Sequence, residues 1–131
     1  MYKRQVSLFS SNSSIRKFLV NKQKTFGINK NIVVEGRDIT TVVFPDAEIK
    51  VFMTADIQVR AKRRFNEMKS KNPDITYSDV IKNLEDRDIQ DSTRKDSPLM
   101  VADDAFILDT SDLEINDQVD KIINFISNKF S

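Results

Sequence analysis

The stretch Ile32-Val33-Val34-Glu35-Gly36-Arg37-Asp38-Ile39-Thr40-Thr41-Val42-Val43-Phe44-Pro45-Asp46 decides how this chain is read. Its β-branched start has the pattern of a strand buried on both faces, as in a parallel sheet. The run leads directly into glycine, arginine and aspartate, and the ends of such strands are where ligands meet an α/β sheet. Gly36 leaves the backbone room to turn without a side chain in the way. Arg37 offers a rigid fork of donors suited to a phosphate, and Asp38 two acceptors suited to a base amino group or a hydroxyl. The three residues read as a corner that recognises an anion together with a base.

Outward from this corner, the pattern alternates between periods. Upstream, Ile15, Phe18 and Leu19 recur at helical spacing within residues 14–24, with Ser13 or Ser14 as a cap and Gly27 and Asn29 as the stop. Residues 31–35 form the first expected strand. Pro45-Asp46 turns the chain towards a second, at 48–54, through Ile49, Val51 and Phe52. From Asp56 a helix carries Val59, Ala61, Phe65 and Met68 among Arg60, Lys62, Arg63 and Arg64, until Asn72-Pro73 ends it. Thr76 or Ser78 can cap the next helix, which is almost wholly charged over 85–96. A third strand at 105–108, a loop at Asp109-Thr110-Ser111 and a last amphipathic helix over 115–130 complete the chain. Strands alternating with helices indicate α/β with a parallel sheet. Three strands are few for a sheet that must be covered on both faces, so the chain reads as part of a domain.

Composition narrows the chemistry. The 131 residues hold 21 basic and 20 acidic side chains, a net charge of +1, and nothing in that balance favours nucleic acid or an acidic membrane as partner. There is no cysteine and no histidine, which excludes disulfides, thiolate metal sites and the commonest general base; no metal-ligand set is read in these residues. Arg, Lys, Asp, Ser and Thr suit phosphoryl transfer, where positioning and charge neutralisation do most of the work. No apolar run approaches the roughly 20 residues that span a bilayer, so a cytoplasmic protein is expected. With Gly27 and Gly36 the only glycines, no G-x-x-x-x-G-K-[ST] phosphate loop occurs in the sequence.

Gly36-Arg37-Asp38 followed by Thr-Val-Val-Phe-Pro-Asp-Ala resembles the signature of bacterial cytidylate kinases, which phosphorylate CMP and dCMP. The resemblance covers residues 6 to about 130. It implies a P-loop nucleoside monophosphate kinase-like three-layer fold with a parallel sheet, incomplete here because the N-terminal strand and P-loop are missing. Residues 1–5, Met-Tyr-Lys-Arg-Gln, read either as a non-native adaptor-derived tail or as a basic helix start. A helical segment over about 56–97 would be the lid. Thr41 stands where many members carry glycine, and Glu35 where aspartate is common.

The resemblance also assigns roles. Arg87, Asp91 and Arg94 lie at i, i+4 and i+7, which on a helix would put two guanidinium groups and a carboxylate on one face. By themselves they read as a solvated face laced with ion pairs. In the family such a helix closes over the monophosphate nucleotide: Arg87 would bind the acceptor phosphate and ribose region, Asp91 the ribose hydroxyls, and Arg94 the cytosine. Ser7 and Arg16 fall where the family reads the edge of cytosine. Asp38 would accept from the exocyclic amine while Arg16, Ser7 and Arg94 donate to the ring nitrogen and carbonyl, which disfavours uracil. Arg60, Arg63 and Arg64 would surround the donor phosphates, and Arg37, Arg63 and Arg87 are the expected catalytic arginines.

The resemblance therefore implies a (d)CMP kinase acting as a monomer on CMP or dCMP with ATP and Mg²⁺, the sites for ATP and Mg²⁺ lying mainly outside these residues. Without a phosphate loop the chain alone is expected to be inactive. A non-catalytic nucleotide-binding or interaction domain is the alternative.

Overall fold

A computed structural model of the protein describes residues 12–28 and 31–131. Ser7, residues 1–5 and Asn29, all named above, lie outside the described residues. The chain divides into two compact units, Met1–Glu48 with Gln90–Ala102, and Ile49–Ile89 with Asp103–Ser131.

In the first unit, helix α1 spans Ser13–Phe26. Its cap is Asn12, one residue ahead of the expected serines: the Asn12 side chain accepts from the backbone N–H of Ser14 at 3.0 Å and of Ile15 at 3.2 Å. Gly27 ends the helix, its N–H reaching Lys24 O at 3.3 Å. The buried residue of α1 is Arg16, 9% exposed, whereas Phe18 of the apolar stripe is 67% exposed. The helix turns its ion-pairing side inward, because the carboxylate described below lies there.

Residues 31–36, expected to begin with a buried strand, form no strand and are exposed, and Val33 is fully in solvent. A β-branched run becomes a parallel strand only where a neighbour supplies the ladder, and among the described residues none pairs with it. Next comes a π-helical turn over Ile39–Val43, with Asp38 O accepting from Val42 N at 2.9 Å and Val43 N at 3.2 Å, and Ile39 O from Phe44 N at 2.7 Å. The turn buries Ile39 and Val43 on one side. Such turns often occur at functional sites, and this one follows directly from Asp38.

Gly36 owes its place to space and not to backbone conformation, since no glycine has positive φ. A Cβ there would come within 2.6 Å of Ile39 Cγ1.

The second unit holds the sheet. Strands β1, Val51–Thr54, and β2, Phe106–Asp109, pair in parallel, Val51 opposite Phe106 through Thr54 opposite Asp109. The second and third expected strands thus form, and the observed sheet has two strands. Asp56 caps α2, Ile57–Lys69, by accepting from Gln58 N at 2.7 Å, and its own N–H reaches Ser111 Oγ at 2.8 Å. Helix α3, Tyr77–Thr93, starts at Thr76: Thr76 Oγ1 accepts from Asp79 N at 3.1 Å and donates to the Asp79 carboxylate at 2.6 Å. Phe65 meets Tyr77 edge-on at 5.9 Å, joining α2 to the start of α3.

Helix α4, Ile115–Phe130, opens on a capping box of Glu114 and Asp117. Its Phe125 stacks on Phe106 of β2 at 4.5 Å. Ala61, Val80 and Leu108 are the buried apolar residues of this unit.

Candidate functional site

The first unit gathers Arg16, Arg37, Asp38, Asp91 and Arg94, five residues drawn from α1, the glycine corner and the end of α3. The Arg16 guanidinium donates to the Asp38 carboxylate, and both side chains are about a tenth exposed. Asp38 can do this because its carbonyl, not its side chain, caps the π turn. Arg37 Nε donates to Asp91 Oδ2 at 2.9 Å, and Arg94 Nη1 lies 3.5 Å from Asp91 Oδ1, so one carboxylate holds two guanidinium groups.

Arg94 differs from its expected setting. Helix α3 ends at Thr93, and Arg94 sits just past that end, where a cation complements the carbonyl pole. Its Nε donates to Ser97 O at 2.6 Å. Its Nη2 is buried and makes no hydrogen bond within the protein. Burial first, then the positive charges of Arg16 and Arg37, lower its pKa from the ordinary arginine value against the opposing pull of Asp38 and Asp91. A guanidinium stays charged even so, and it gains most from an acceptor brought by a ligand.

Three arginines against two aspartates leave this cluster at +1, with an arginine fork half-exposed at Arg37 and an unspent buried donor at Arg94. Such a set offers charged donors of the kind an anion takes, and both donors and acceptors of the kind a polar ring takes.

The arginines expected around the donor phosphates are placed differently. Arg60 grips Asp88 of α3 with both terminal nitrogens, Nη1 at 3.2 Å, and its pKa is raised first by that hydrogen bond, against burial, with help from the charges of Asp88 and Asp56. Arg63 donates to Thr110, to Oγ1 at 3.1 Å and to the carbonyl at 2.6 Å; Thr110 Oγ1 in turn donates to Thr54 O at 3.0 Å. Arg63 therefore ties α2 to the carboxyl ends of both strands. Arg64 pairs with Glu67 at 2.7 Å along its own helix. Arg87 is exposed on α3, within the second unit.

Sequence reasoning passed over Thr110 and Ser97, each of which holds a site arginine through a backbone carbonyl. The signal for Thr110 was its place directly after a strand; no pattern marked Ser97. Thr41, half-buried with its buried hydroxyl unbonded within the protein, lies inside the π turn itself.

The cytidylate kinase family profile matches residues 2–128. Curated cytidylate kinases similar to the chain include those of Fusobacterium nucleatum, 50% identical over 124 residues, Fervidobacterium nodosum, 44% over 123, and Flavobacterium johnsoniae, 46% over 122. These alignments cover 93–95% of the chain and 53–56% of each relative, so the chain spans about half the length of the curated relatives it matches. With nearly every residue inside the matched region, the chain belongs to the cytidylate kinase family.

Proposed function

We propose that this chain carries the nucleotide-recognising part of a cytoplasmic, monomeric (d)CMP kinase that transfers a phosphoryl group from Mg²⁺-bound ATP to CMP or dCMP. The carrying observation is the Asp91 carboxylate shared by Arg37 and Arg94, beside the Arg16–Asp38 pair. In this reading Arg37 takes the acceptor phosphate, Asp91 the ribose hydroxyls, and Arg94 the cytosine carbonyl through its spare Nη2. Asp38 keeps one oxygen on Arg16 and offers the other to the cytosine amine. Uracil would present a carbonyl to that oxygen and be refused by repulsion and an unmet donor. Ser7 would add a further donor to the ring.

Residues 56–97 act as the lid, with Arg87 on the phosphate and ribose and Arg63 and Arg64 turned to the donor phosphates when it closes. Arg60, gripped by Asp88, steadies the pairing of α2 with α3 in this reading. Among the described residues no group of three or more acidic side chains is placed to hold a metal ion, so no residue here is assigned to Mg²⁺. No helix of the described residues is long and apolar enough to cross a membrane. The remainder of a P-loop nucleoside monophosphate kinase, including its phosphate loop, would complete the three-layer fold around β1 and β2. The absence of such a loop from these 131 residues supports the narrower reading that they bind nucleotide without turning it over.

Calorimetric titration of the chain with CMP and UMP tests the site. Saturable CMP binding that UMP does not share, abolished by Asp38→Ala, supports it; equal binding of both nucleotides overturns the base assignment. Turnover is tested in a fusion that supplies the unmatched part of the Fusobacterium relative.

A further inference from the structure

We propose that Ser97 is a positioning residue for Arg94, setting the plane of its guanidinium through a left-handed turn; the proposal rests on the nucleotide site described above. Ser97 has φ 51°, the only non-glycine residue with positive φ among the described residues. Residues other than glycine visit this region sparsely and keep it only where their surroundings hold them there. Pro98 follows and restricts Ser97 further.

Three contacts hold the turn. Leu99 N donates to Asp91 O at 2.7 Å, closing the chain back on the last turn of α3. The Ser13 hydroxyl donates to the Asp96 carboxylate, fastening the turn to the start of α1. Ser97 O accepts from Arg94 Nε at 2.6 Å. The residue with the unusual conformation is thus the one whose carbonyl holds Arg94 at the helix end.

The consequence falls on the guanidinium. It is planar, so fixing Nε on one carbonyl and Nη1 near Asp91 leaves Nη2 a single direction, and Nη2 is the buried donor with no protein acceptor. Ser97 thereby selects which atom of a ligand Arg94 can meet.

Two substitutions separate this role from others. Ser97→Gly keeps the left-handed turn and removes the hydroxyl; Ser97→Val keeps a side chain and opposes the turn. CMP affinity of the full chain should stay within about twofold for glycine and fall about tenfold or more for valine, with the CMP-to-UMP ratio falling too. Equal loss in both variants would show that the hydroxyl matters, and no loss in valine would show that the turn does not; either result overturns the proposal. The Arg94 Nε–H resonance gives a readout that needs no ligand. Slow exchange with water in wild type and Ser97→Gly, lost in Ser97→Val, is expected; unchanged exchange in Ser97→Val refutes the positioning role even if the chain binds no CMP, whereas failure of wild type to bind CMP with the expected exchange pattern refutes the site reading alone.

Discussion

The Arg16–Asp38 pair should prove to be a structural bond of the first unit as well as a recognition element, and a double-mutant cycle measures it. Both side chains are about a tenth exposed, 10% and 13%, so solvent screens the pair little. An exposed pair would be worth about 0.2–1 kcal/mol. Removing one partner of a fully buried pair costs about 3–5 kcal/mol, because a charge is stranded away from water. At a tenth exposure Asp38→Ala should fall just below that range, at about 2–4 kcal/mol. Arg16→Ala also removes other interactions of Arg16, so it should cost at least as much. The double variant strands no charge, and its cost should fall short of the sum of the singles by about 1.5–3 kcal/mol. Urea unfolding of the four proteins at neutral pH, followed by circular dichroism, provides the four free energies. A coupling below about 0.5 kcal/mol would place the pair with surface contacts and refute the claim that α1 is turned inward by it.

Lys50, buried at the start of β1, is bonded by both oxygens of Asp104 at 2.8 and 3.0 Å, and this contact, more than any other, holds the Asp104 carboxyl below its ordinary value. A lowered carboxyl stabilises the fold above its unfolded value of about 3.9 and ceases to do so as pH falls through the lower folded value. The difference in urea midpoint between wild type and Asp104→Asn should therefore hold steady from neutral pH to about 5 and shrink below about 4; a gap unchanged at pH 3 would contradict it. Gly36→Ala should force Ile39 aside, since its Cβ would lie 2.6 Å from Ile39 Cγ1, and lower both stability, by about 1–3 kcal/mol, and CMP affinity. Retention of both in calorimetry and urea titration would show that the corner repacks freely.

The helices were legible because each carries its own instructions: period, cap and stop lie within a few residues of one another, as with Asp56 and Asn72-Pro73 around α2 or Thr76 ahead of α3. Strands were legible only where a partner existed. Residues 51–54 and 106–109 pair and form, while 31–35, at least as β-branched, has no partner among the described residues and forms no strand. The inward side of α1 is not its apolar stripe, for a related reason. Apolar periodicity predicts which face seeks cover, but the charge at Arg16 found a buried carboxylate and took that place. Of the cluster in the first unit, the residue types were visible in the motif; the Ser97 carbonyl that aims Arg94 was not, because a backbone acceptor leaves no mark on the sequence, and Thr110 showed only its place after a strand.

The carboxylates of this site explain how three guanidinium groups can share one unit before any nucleotide arrives. Without Asp38 and Asp91 the cluster would carry three positive charges, one of them on the partly buried Arg94, whose lowered pKa already reflects the presence of Arg16 and Arg37. Each aspartate neutralises an arginine and fixes its direction, so less side-chain freedom remains to be lost on binding. A nucleoside monophosphate carries about −1.5 to −2 charges, enough to outweigh the residual +1. In the proposed reading it would do so without breaking the pairs: Arg37 contacts Asp91 through Nε, which would leave its terminal nitrogens for phosphate, and the unbonded Arg94 Nη2 would be left for the base. The acids that a simple charge count would set against an anionic ligand are thus what hold the donors in order for it.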